Sequence, residues 1–169
     1  MTNNIEIQEK ENVIAGIIGA FLFALAGGGV WFLLYQVNFL AGISGIVGVV
    51  CAIKGYELFA KKQSIKGVVI AVIAAILVMV LAWYLCLSFD VYKAHQIWHE
   101  AGDIDFTITF TEAVRCAYLF LSDGEILTEY LLDLVIGLAL CGVGAYRSIA
   151  NAITRVKQEK KQIADINEP

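Results

Sequence analysis

The chain has 169 residues, of which 59% are hydrophobic and only 17% charged, and its mean hydropathy is +0.74. Soluble domains carry about 25% charged residues, so this composition excludes a water-soluble globular domain and indicates an integral membrane protein. The net charge of −4, with no basic stripe away from the membrane flanks, excludes a nucleic-acid-binding role.

Residues 1–12 are polar and are expected to fray. Glu6, Glu9 and Glu11 outnumber Lys10, so the basic start of a cleavable signal is missing and the first apolar segment is expected to remain as a span. From Val13 to Ile53 no residue is charged; Gln36, Asn38 and Ser44 are the main polar interruptions. As one straight helix this run would be about 60 Å long, twice the thickness of a hydrocarbon core. It must turn back, and Gln36 and Asn38 mark the place. The reading is a membrane hairpin with spans at 13–35 and 39–59.

Both spans carry small residues at packing intervals. Gly16, Ala20, Ala24 and Gly28 recur every four residues in the first, a spacing that lets a neighbouring backbone approach closely. Ala41, Gly45, Gly48, Ala52 and Gly55 recur every three to four in the second, the period of a left-handed seam. Which seam faces which partner stays open. Gly27-Gly28-Gly29 follows no strand and lies inside a span, so it is not a phosphate loop; a local kink is expected there.

After Lys61, Lys62 and Lys66 comes the clearest span, 67–89, which is uncharged throughout and carries Trp83 and Tyr84 near its far end, as an interfacial belt would. Gly67, Ala71, Ala74 and Ala82 are its small residues. The helical pattern continues to Ala101, with Gly102 a natural C-cap, so that a helix from Lys66 would be about 54 Å long and would project beyond the lipid. The outer segment, 90–129, contains Thr109-x-x-Glu112, a capping box. Phe110, Ala113, Val114, Ala117, Tyr118 and Leu121 then fall on one helical face, predicting an amphipathic helix that lies on the bilayer or caps the bundle. Ser122-x-x-Glu125 is a second box that opens the last helix. Its span is placed at 130–148, with a seam of Gly137, Cys141, Gly144 and Ser148, followed by a tail, 149–169.

Placing both termini and the 54–66 loop on one side puts there all the lysines and arginines except Lys93 and Arg115. The positive-inside rule then makes both termini cytoplasmic and the outer segment extracytoplasmic, in a multi-pass protein of the cell membrane. The whole chain, 1–169, reads as one membrane domain.

Candidate chemistry is sparse. No ionisable residue lies near the midplane of any predicted span. Such residues mark ion and proton pathways, so coupled transport is demoted. His95 and His99 are four apart in the outer segment and could share a metal. However, His-Gln-Ile-Trp-His lacks the glutamate of a zinc protease motif, and the favoured reading is an interfacial helix end, with Trp98 in the lipid headgroups and both histidines solvated. Glu125, Glu129 and Asp133 form an acidic stripe at the start of the last span. Asp133 lies deepest and is expected to need a partner, with Lys93 and Arg115 the outside candidates. Cys51, Cys86, Cys116 and Cys141 are scattered without a CxxC; whether Cys86 and Cys116 pair stays open. No nucleophile–base pair, catalytic residue or cofactor is indicated. The basic tail suits contact with anionic headgroups.

The glycine-rich hairpin, Lys54-Gly55-Tyr56-Glu57-Leu58, and Lys66-Gly67-Val68-Val69 opening the third span resemble small four-span membrane proteins of Gram-positive, Firmicutes-type bacteria, over residues 14–150. The resemblance implies a four-span fold and a bacterial plasma membrane. It carries no assigned activity, so no functional residue transfers. The expected fold is therefore all-α: four transmembrane helices with an extracytoplasmic amphipathic helix between the third and fourth. The expected role is non-enzymatic association, as an accessory, scaffold or protective subunit. Its partners would be the lipid bilayer and another membrane protein or copies of itself. The contact face would include Tyr118, Leu121, Glu125, Glu129 and Asp133. The alternative is a small oligomeric channel or transporter for cations or small solutes.

Overall fold

A computed structural model describes residues 11–36, 43–61, 64–122 and 124–167. These form five helices: α1 (Val13–Gln36), α2 (Ile43–Ala60), α3 (Ile65–Ala101), α4 (Phe110–Phe120) and α5 (Gly124–Asn167), with no strand among the described residues. Three stretches are long and apolar enough to cross a membrane: Val13–Gln36, Ile65–Ala101, and Tyr130–Arg155 within α5.

The helix ends follow from local chemistry. Asn12 Oδ1 accepts the Ala15 N–H at 3.1 Å and starts α1. Glu11 is anchored too. Its Oε1 accepts from the Tyr56 hydroxyl at 2.8 Å and the Ser64 hydroxyl at 2.6 Å. Glu11 and Asn12 are thus held in place rather than frayed. Ser64 is the extended N-cap of α3, its Oγ accepting the Gly67 N–H at 3.0 Å. At the far end Gly102 adopts φ 81°, which costs a glycine nothing. Its N–H donates to His99 O and that of Asp103 to Trp98 O, so two orphan carbonyls are satisfied. The Thr109–Glu112 box of α4 closes in both directions. Of the second expected box, at Ser122 and Glu125, the Glu125 side chain lies outside the described residues, as does Ala41.

Small residues set the packing. Gly16, Ala20 and Ala24 of α1 are buried, as are Gly45, Gly48, Ala52 and Gly55 of α2. Against α2, however, the expected α1 row is joined by Gly19 and Gly27: a Cβ on Gly27 would collide with the Gly48 backbone, and one on Gly55 would run into the Gly19 carbonyl oxygen and Phe23. α1 is one continuous helix through Gly27–Gly29, where a kink is expected. Gly27 and Gly28 serve close approach, Gly28 against Val78 of α3, while Gly29 faces open space. Tyr56, 2% exposed, lies between Gly16 of α1 and Gly67 of α3. α5 packs on α2 through Gly137, Cys141 and Gly144, with Gly45 against the Gly137 carbonyl and Gly144 against Ile46. Trp31, also 2% exposed, covers Gly137. Its Nε1 borders a cavity of about 10 Å³, the room of roughly one water molecule.

Candidate functional site

The uncharged part of α3, from Gly67 to Phe89, would be about 33 Å long and fill a hydrocarbon core. Asp90 follows at once. It accepts the Tyr35 hydroxyl of α1 at 2.5 Å and the Tyr130 hydroxyl of α5 at 2.6 Å, both on Oδ2. Phe32 stacks edge-on against Phe89 at 5.6 Å, and Trp83 Nε1 donates to the Tyr130 carbonyl at 2.7 Å. One carboxylate thus ties three helices together at the level where α1 ends. Charge-assisted hydrogen bonds of this kind are the strong ones. Sequence reasoning placed Asp90 merely as the first residue past the span; the signal for its role, two tyrosines far away in the chain, has no local periodicity. Asp90 and Asp133 both lie within electrostatic reach of Cys86.

Beyond Asp90, α3 projects. Trp98 lies eight residues on, about 12 Å along the axis. The headgroup layer on one side of a bilayer is only about 5–8 Å thick. The tip is built from aromatic groups. The His95 ring lies 5.5 Å from Trp98 and 6.1 Å from Phe106. His95 Nδ1 is 3.2 Å from the Val91 carbonyl and His99 Nδ1 is 3.1 Å from the Ile104 carbonyl. A carbonyl only accepts, so each Nδ1 is assigned the proton. These bonds, with the Gly102 cap, fix the return of the chain. Ile97 and Phe106 remain 60% exposed and Trp98 43%.

α4 then runs back alongside α3. Tyr84 donates to the Val114 carbonyl at 2.7 Å, and Phe110 meets Tyr92 edge-on at 6.2 Å. Ala113 and Ala117 are fully buried on α3. The segment 90–129 thus occupies two levels: the projecting tip, and α4 beside Tyr84–Tyr92. Phe110 closes one end of an apolar lateral groove of about 380 Å³ between α1 and α3, beside Leu25, Gly29 and Leu85. Of the six residues assigned to one face of α4, Ala113 and Ala117 are buried and Val114 and Leu121 half-buried, while Phe110 and Tyr118 are exposed. Leu121 is the helix C-cap, and Leu119 is the exposed leucine.

The remaining sequence candidates are placed as follows. The side chains of Glu125 and Glu129 lie outside the described residues. Asp133 is half-buried and forms no ion pair with Lys93 or Arg115 among the described residues. Lys93 instead stands 5.5 Å over the Phe89 ring; that contact keeps it on α3 and away from α5. His95 and His99 share a helix face, but no group of three metal-ligating side chains occurs among the described residues. All four cysteines are free, Cys86 buried and Cys116 exposed. The Glu112 carboxylate of the α4 box is held below the usual range, first by the Thr109 backbone N–H and then by its hydroxyl. Comparison of the chain with protein-family models, with curated proteins and with solved structures finds no match in any of the three.

Proposed function

We propose that the protein is a four-span membrane protein that acts by association, and that the aromatic tip of α3 is its contact surface. α2 serves as the fourth span, its uncharged part ending at Ile53. The basic residues flanking α2, α3 and α5 favour cytoplasmic termini and an extracytoplasmic tip. The observation that carries the reading is the exposure of Ile97 and Trp98, about 12 Å along α3 past the end of the uncharged span, and of Phe106, which packs on His95. At that depth lipid does not cover them, and a large exposed apolar cluster on an ordered turn marks a protein contact. Trp is also the residue most enriched where binding energy concentrates. The small-residue seams favour a tight bundle, which fits a subunit that docks on a partner.

The test is crosslinking in intact membranes of the native host, then purification and mass spectrometry. One recurrent partner is expected, its yield falling at least tenfold for the Trp98→Ala/Phe106→Glu variant at equal protein level. Recovery of the partner unchanged by that variant overturns the reading. So does capture of only the protein's own copies, after which ion flux in liposomes becomes the next measurement.

A further inference from the structure

α2 and α5 run in the same direction. They are close where Gly45 meets Gly137 and where Ile46 meets Gly144. Further along, a cleft of about 110 Å³ opens between them, lined by Val50, Ile53 and Lys54 of α2 and by Ser148, Asn151 and Arg155 of α5. These six residues grade from apolar to cationic. On each helix the position nearest the bundle centre is uncharged, Val50 or Ser148, and the cation stands last. The apolar part of α5 also ends at Arg155, which places the cationic rim at the membrane edge.

We propose that this cleft binds the phosphate of an anionic phospholipid headgroup. Arg155 can present a planar fork to two phosphate oxygens, and Lys54 adds a point charge from the opposite wall. Ser148 and Asn151 supply neutral donors deeper in, and Val50 and Ile53 face the apolar part of the lipid. Glu57 lies against both cations. Its Oε2 lies 3.0 Å from Lys54 Nζ and its Oε1 3.9 Å from Arg155. Both cationic side chains are more than 60% exposed, so they can turn to a ligand without unpacking the bundle. A phosphate would compete with Glu57 for Lys54 and Arg155. This site is independent of the tip, which lies at the other end of α3.

Native mass spectrometry of the detergent-purified chain tests it, with phosphatidylglycerol, phosphatidylcholine and inorganic phosphate as separate probes. Phosphatidylglycerol is expected to stay bound and phosphatidylcholine to be lost. Lys54→Gln/Arg155→Gln is expected to weaken phosphatidylglycerol about thirtyfold, from two charges near a lipid phosphate. Glu57→Gln removes the competing anion and is expected to tighten binding about fivefold, a gain that loss of folding cannot mimic. Equal retention of the two lipids, or no response to either variant, overturns the proposal. Displacement of the lipid by inorganic phosphate at matching concentration overturns the lipid as source and assigns a free phosphate compound instead.

Discussion

Asp90 offers the sharpest energetic test of the bundle. Replacing it by alanine removes the shared acceptor of the Tyr35 and Tyr130 hydroxyls, at 2.5 and 2.6 Å. A hydrogen bond to a charged group contributes about 1.5–3 kcal/mol in water-soluble proteins. Side-chain bonds between membrane helices average about 0.6 kcal/mol and reach about 1.7. The site is only partly buried, so the lower scale governs, and two bonds give a loss of about 1–3 kcal/mol for Asp90→Ala. Tyr35→Phe and Tyr130→Phe should each cost about half of that. Asp90→Asn, which keeps one acceptor oxygen, should fall between. The distinctive expectation is coupling: in the Asp90→Ala background either Tyr→Phe change should cost less than it does in the wild type, because one partner is gone while the Tyr35–Tyr130 contact remains. Reversible unfolding in detergent micelles reads these differences. Fully additive losses, or an Asp90→Ala cost below about 0.5 kcal/mol, would refute the clamp.

Three further outcomes follow from named contacts. Gly67→Ala drives a methyl into the Tyr56 ring and should destabilise the bundle by about 1–3 kcal/mol, as overpacking does; a variant unfolding with the wild type would show that Tyr56 is not pinned. Trp98→Ala should weaken partner binding by about 2 kcal/mol, roughly thirtyfold, while micelle stability stays within about 0.5 kcal/mol. The capping box of α4 is pH-dependent with a definite sign. Because the folded Glu112 value is depressed, its contribution is fully present above the ordinary glutamate range and is lost as pH falls through the lower folded value. Hydrogen exchange at the α4 amides should therefore speed up in acid once the intrinsic rate is corrected, and Glu112→Gln should abolish that dependence.

Much of the fold was legible because its causes are local. The Gly102 cap, the Thr109–Glu112 box and the small-residue rows of α1 and α2 each depend on residues within a few positions of one another. What joins distant residues was not legible. Asp90 sits beside a span end and reads as ordinary solvent-side charge until Tyr35 and Tyr130 are brought to it. The tip was split in the same way: His95 and Trp98 belong to a helix, and Phe106 follows a turn whose path depends on His99 and Gly102. At Gly27–Gly29 the sequence could suggest a kink but not the contact: glycine both loosens a helix and permits close approach, and only the fold brings the Gly48 backbone to Gly27. Lys93 and Arg115 were the reasonable partners for Asp133 by charge alone, but Lys93 is drawn to Phe89, on its own helix.

The central claim is that the tip stands clear of lipid and meets protein. A photoreactive side chain placed at position 98 in the native host, irradiated in living cells, tests it most directly. Adducts to one other protein, absent when Phe106→Glu is added, are the predicted result. Adducts confined to lipid would contradict the account.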